Sequence, residues 1–137
     1  MAYLTFISHS GEDTWIARKL AADCGKAGSE TFLDETQIAV GANFEVDILK
    51  ALRDADELVV LITPWALNRP YVWLEIGAAW FKGIPIIVIL LGLSSAEFLS
   101  RSNTPVELKK RNFISLNDID RYLQELAVRV ENKKGET

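Results

Sequence analysis

One cysteine, one histidine and one methionine in 137 residues narrow the available chemistry before any motif is sought. With Cys24 alone, no intrachain disulfide and no cysteine-built metal centre can form. With His9 as the single imidazole, neither a Cys–His nucleophilic pair nor a zinc site has enough ligands to stand on. Cys24 falls on the apolar face of a predicted helix and reads as a small core residue. Long hydrophobic runs are also missing: Ile84 to Leu93 is the longest, about half of what a membrane span needs. The start, Met1 to Thr5, has no basic region of signal-peptide type. Positive charge is not in excess, with 15 Lys and Arg against 19 Asp and Glu and a net charge of −4, which argues against a nucleic-acid surface. Neither Gly-x-Gly-x-x-Gly nor Gly-x-x-x-x-Gly-Lys-Ser/Thr occurs, so the usual phosphate-cradling loops are excluded. The expectation is a cytoplasmic domain in a reducing setting, with no metal, no bound cofactor, no membrane and no nucleic acid.

What is present is an ordinary globular balance, 49% hydrophobic and 25% charged, at a length that suits one domain with a real core. Tyr3 to Ile7 is a short β-rich run ending at the polar turn Ser8-His9-Ser10-Gly11. A helix follows, with Ile16, Leu20, Cys24 and Ala27 on one face, Ser10 or Asp13 as its cap and Gly28 at its end. Glu30 to Asp34 is a second strand, and a loop runs from Glu35 to Ala42. Asn43 then caps a helix that buries Phe44, Ile48, Leu52 and Ala55. Leu58 to Ile62 and Ile84 to Leu91 are apolar at nearly every position, the pattern of central parallel strands covered on both faces. Ser94 to Glu97 has capping-box spacing for a short helix, and Asn112 to Ser115 suggests an edge strand. Asn117 caps a last helix with Ile119, Leu123, Leu126 and Val130 inward, leaving a polar, frayed tail. Alternating strands and helices predict an α/β, flavodoxin-like three-layer sandwich, its five-stranded parallel sheet in the order 2-1-3-4-5 with helices on both faces.

The stretch Pro70 to Lys82 reads as a helix with proline in its first turn and a stripe of Val72, Ile76, Ala79 and Gly83. Glu75 is the one acid in that apolar run, with aromatic residues at Tyr71, Trp73 and Trp80. In open α/β sheets ligands bind beyond the carboxyl ends of the strands, where strand order reverses. That rule selects Ser8-His9-Ser10, Asp34 with the loop to Gly41, and Thr63-Pro64, with Glu75 near the same edge. The acids of a phospho-receiver are missing there, and Ser10 beside His9 lacks an Asp in a triad-like relation. A carboxylate beside aromatic faces suits a transition state with positive charge, such as cleavage of an N-glycosidic bond. The plainer alternative is a surface acid that stabilises the helix dipole.

The motifs Phe6-Ile7-Ser8-His9-Ser10 with Glu12, Phe32-Leu33-Asp34-Glu35 with Ile38 and Gly41, Leu58 to Pro64, and Tyr71 to Ala79 followed by Gly83 stand in a consistent order. Together they make Tyr3 to Val130 resemble a TIR (Toll/interleukin-1 receptor) domain of the bacterial type. The resemblance implies the flavodoxin-like fold and, for many members, cleavage of NAD⁺ to nicotinamide and ADP-ribose or a cyclic isomer. Others of that family are non-catalytic adaptors that signal by self-association. Under the resemblance Glu75 is the catalytic carboxylate, and Ser8, His9, Ser10, Asp34, Gly41, Phe44, Tyr71 and Trp73 form the substrate-binding set. The family often carries Trp four residues before its glutamate; here Tyr71 stands there and Trp73 lies two residues before. Some members have basic residues after the first strand, where this chain has His9 and Ser10.

The expectation is therefore an NAD⁺ glycohydrolase activated by self-association in bacterial defence or signalling, with NAD⁺ as substrate rather than cofactor. The alternatives are a self-association module without catalysis, using the 35–42 loop and the Trp80-Phe81 face, and a nucleoside deoxyribosyltransferase. The domain is expected to cover 1–131 and the polar tail 132–137, as the N-terminal part of a longer protein.

Overall fold

The computed structural model describes residues 2–33, 44–101 and 113–136, with the backbone alone described for 44–47. Five strands, β1 (Leu4–Ser8), β2 (Glu30–Leu33), β3 (Glu57–Ile62), β4 (Ile86–Leu90) and β5 (Phe113–Ser115), alternate with helices. The helices are α1 (Thr14–Lys26), α2 (Phe44–Asp54), α3 (Pro70–Lys82), α4 (Ser95–Ser100) and α5 (Ile119–Gly135). All strand pairs are parallel and the order is β2-β1-β3-β4-β5, the predicted flavodoxin-like arrangement.

Side chains of a strand alternate between faces, so β3 can be apolar throughout only if both faces are covered. Leu58, Val60 and Ile62 pack with Ile48 and Leu52 of α2 and Val72 and Ile76 of α3. Val59 and Leu61 face the other way, onto Leu20 and Cys24 of α1 and Leu126 and Val130 of α5. Two cores thus flank one sheet. No described helix is long and apolar enough to cross a membrane.

Of the two caps expected ahead of α1, Ser10 serves: its hydroxyl accepts from the Glu12 N–H at 3.1 Å and opens a 3₁₀ turn over Gly11–Asp13. Other local expectations are corrected. Ser115 does the same before α5, accepting from the Asn117 N–H at 3.1 Å, so Asn117 lies inside a 3₁₀ turn rather than capping the helix. Gly83 is not part of the buried stripe of α3. It is exposed and ends the helix in the left-handed region at φ 79°, where a Cβ would be strained. The last helix does not fray after Val130 but continues to Gly135. Its end is held by Lys133, whose ammonium donates to the Asp56 carboxylate at 2.8 Å and to the Ala2 carbonyl at 2.9 Å. The expected cap Asn43 and the 35–42 loop lie outside the described residues.

Strand β3 begins one residue earlier than its apolar run, at a fully buried Glu57. Its carboxylate accepts from the Tyr3 and Tyr122 hydroxyls and from the Arg129 guanidinium, with Arg129 Nε at 2.7 Å. A charge in a core is tolerated when it is paired and fully hydrogen-bonded, and this network closes the amino edge of the sheet under α5.

Candidate active site

Strands β1 and β3 lie side by side, but their chains leave in opposite directions. α1 covers one face with β1's crossover and α3 covers the other with β3's. The segments Ser8–Asp13 and Thr63–Arg69 therefore diverge from one crevice at the carboxyl edge, the position where α/β sheets bind ligands.

Ser8 is the last residue of β1 and pairs with Val60 of β3. It is fully buried, and its hydroxyl donates to Glu75 Oε1 at 2.7 Å across 67 positions of sequence. Glu75 lies on the inner side of α3 with Val72, Ile76 and Ala79, at the i, i+3, i+4 and i+7 spacing of one helix face. It is 0% exposed, which removes the reading as a solvated dipole-stabilising acid. Its described hydroxyl partner is Ser8.

The neighbouring groups are ordered by a second set of contacts. His9 is buried, with Nδ1 3.3 Å from the Ile7 carbonyl. Asp13, expected only as a helix cap, instead accepts from the Thr63 hydroxyl at 2.6 Å, and both residues are buried. Thr63 in turn accepts from the Ala66 N–H at 3.1 Å, fixing the turn that leads toward α3. Arg69 stands directly before Pro70, which holds it extended at φ −101° and ψ 116°. From there one guanidinium nitrogen donates to the His9 carbonyl at 3.4 Å.

The sequence-derived set is thus partly assembled. Ser8 and Glu75 meet, with His9 and Ser10 following Ser8 in the chain, whereas Tyr71 and Trp73 are half-buried and pack against the α2–α3 core. Asp34 and Gly41 lie outside the described residues, and Phe44 is described only as the first backbone position of α2. Asp13 and Arg69, which also stand at this edge, were not singled out as candidates from the sequence. Their only sequence signals are a buried-edge acid near a strand exit and a cation fixed by the proline after it. Among the described residues no group of three His, Cys, Asp or Glu is arranged to hold a metal ion. The chemistry on offer is that of a dehydrated carboxylate with a hydroxyl donor, able to hydrogen-bond a sugar or to oppose positive charge.

Comparison with known proteins gives the family model described as TIR domain, matching residues 5–127. Among solved structures, the TIR domain of the Toll-related receptor TRR-2 from Hydra magnipapillata is similar at 18% identity and a TM-score of 0.66, over 97% of this chain and 98% of that one. The TIR domains of the activated Roq1 resistosome, which recognises the pathogen effector XopQ, are similar at 17% identity and a TM-score of 0.64, covering 96% of this chain and 84% of that one. A TIR-STING receptor from C. gigas is similar at 19% identity and a TM-score of 0.70, over 89% of this chain but only 39% of the receptor. No curated protein matches the sequence. At these identities the structural likeness carries the fold alone.

Proposed function

This chain belongs to the TIR domain family, and from that premise we propose that it is an NAD⁺ glycohydrolase with Glu75 as its catalytic carboxylate. The observation that supports the reading is the buried Glu75 carboxylate at the sheet's reversal point, held by the Ser8 hydroxyl at 2.7 Å. In the reaction the bond between nicotinamide nitrogen and ribose C1′ breaks, and its electron pair stays on the nitrogen and neutralises the pyridinium. The leaving group therefore needs no general acid. Positive charge gathers on the ribose, where Glu75 opposes it and can hydrogen-bond a ribose hydroxyl. Water adds to C1′ and releases a proton, giving ADP-ribose; attack by a group of the same molecule gives a cyclic isomer instead. Ser8 keeps the carboxylate aimed, and Tyr71 and Trp73 buttress the helix that carries it.

A carboxylate with no exposed surface meets a sugar only after the crevice opens. Catalysis is accordingly coupled to self-association of TIR domains in a cytoplasmic, defence-type signalling role, with low turnover in dilute protein. The test is nicotinamide release from NAD⁺ by the chain clustered on beads, compared with Glu75→Gln and Glu75→Ala of equal helicity. Release by the native chain and its loss in both variants is expected, a fall of about 10²-fold or more. No release from clustered native protein sinks the reading.

A second reading is favoured by the same burial. Glu75 and Ser8 would then be a structural pair joining α3 to β1 in a non-catalytic association module. The apolar groove between α2 and α3, beside Leu49 and Phe81, offers the contact surface, Phe81 being 90% exposed. Concentration-dependent light scattering without NAD⁺ turnover on beads would select it.

A further inference from the structure

A dinucleotide brings two phosphate charges to the crevice, and the strand that feeds it offers no cation to receive them. Ser8 to Asp13 contains no lysine or arginine and ends in two acids, Glu12 and Asp13. Among the described residues, a cation reaches this edge from the opposite side, from the turn that precedes α3. We propose that Arg69 is the specificity-determining residue that binds the diphosphate of the substrate, an inference that rests on the NAD⁺ reading above.

Three observations carry it. Arg69 is half-buried against the β1 exit, so its guanidinium is placed rather than waving in solvent: a Cβ added to Gly11 would stand 3.8 Å from its Nη1. A guanidinium has five N–H donors, yet among the described residues that of Arg69 makes one hydrogen bond, the 3.4 Å contact with the His9 carbonyl. No carboxylate of the described residues lies within ion-pair distance of it, although Glu12 and Asp13 follow shortly after its partner His9; Asp13 is taken by Thr63. A planar fork with spare donors and no counter-charge among the described residues fits a diphosphate oxygen pair, which accepts in a bidentate manner.

The spacing agrees with the order of groups in the substrate. Ser8 touches Glu75 and the next residue, His9, touches Arg69, so consecutive positions of one strand end meet both groups. Glu75 lies six positions after Arg69, about 9 Å along the axis of α3. That is the scale of the ribose and its 5′ link, which separate the bond that breaks from the first phosphate. The pyrophosphate is therefore held at the mouth of α3 while the ribose reaches one and a half turns further in.

The experiment compares clustered native chain, Arg69→Gln and Arg69→Lys on NAD⁺ and on nicotinamide riboside, which has the same scissile bond and no phosphate. Thermal unfolding of each variant reports whether the fold is retained. Arg69→Gln is expected to raise KM for NAD⁺ about tenfold or more, with a smaller change in kcat, and to erase the preference for NAD⁺ over the riboside. Arg69→Lys should recover part of that preference, because a point charge replaces a fork. Unchanged KM for NAD⁺, or an equal loss on both substrates, would overturn the proposal and leave Arg69 as a clamp on the His9 carbonyl. If the native chain cleaves neither substrate, the NAD⁺ reading fails by itself, and ADP-ribose binding then judges Arg69. Native binding that weakens about tenfold in Arg69→Gln and falls with salt upholds a diphosphate site, whereas equal or absent binding overturns it.

Discussion

Removing one hydroxyl at Ser8 takes a donor from the buried Glu75 carboxylate. Ser8→Ala should cost about 1–3 kcal/mol of stability, read from the urea midpoint at constant m-value. A result within error of zero would show that the pair contributes nothing to the fold. Cys24 is a second residue with a sharp expectation. Burial first, and the charge of Glu57 second, push its thiol up to about 12 from an ordinary 9.0. At mildly alkaline pH its thiolate content is about a thousandfold below that of a free cysteine. A thiol reagent should therefore modify it only on the timescale of unfolding, and rapid labelling in native buffer would contradict the packing. At this scale the sequence was informative where chemistry was unusual: Glu75 stood out as an acid among aromatics and small residues. Asp13 did not, because its partner Thr63 lies 50 positions away and only the strand pairing brings them together.

The helices show where periodicity carries information and where it stops. α3 was legible from Pro70 to Lys82 because proline marks its start and its apolar spacing does not lapse, although the glycine that ends it read as part of the stripe. Gly83→Ala forces a Cβ into the left-handed region and should destabilise by about 1–2 kcal/mol in thermal or urea unfolding, with activity per folded molecule retained. The end of α5 was not legible. Its apolar spacing stops at Val130, and the remaining turn is fastened by Lys133 to Asp56 and to the Ala2 carbonyl, contacts that no helical period encodes. Glu57 was hidden for the same reason, as one acid ahead of an apolar run whose partners come from the first strand's approach and the last helix. Arg129→Met would leave that acid buried without its cation and should cost about 3–5 kcal/mol, making it the most damaging of these substitutions.

For the molecule as a whole, the proton-holding groups at the amino edge set an alkaline limit. Burial, reinforced by Glu57, raises Cys24, Tyr3 and Tyr122 above their ordinary values. The unfolded chain gives up these protons first, so their stabilising effect is complete below about pH 9 and declines as pH rises from there through the folded-state values. Urea midpoints should be flat from neutral pH to about 9 and fall steadily above it, and Tyr122→Phe should flatten part of that fall. A midpoint unchanged at about pH 10.5 would refute it. The surface makes a separate prediction: Phe81→Glu, at a 90% exposed position, should leave the fold intact and reduce any concentration-dependent scattering. The architecture itself was readable from the sequence because two all-apolar strands demand covered faces. The strand exits carry no such pattern, and the hydrogen bonds between them follow from pairing rather than composition.

The pairing of Ser8 with Val60 has a consequence for how variation in the interior will be felt. Sliding β1 by a single residue would swing the serine to the opposite layer and put a neighbour's side chain against the acid of α3. The alignment of two strands thus acts as the gauge for one oxygen–oxygen separation. Changes at Val59 or Leu61 that merely loosen that alignment should blunt any turnover before they lower the melting temperature.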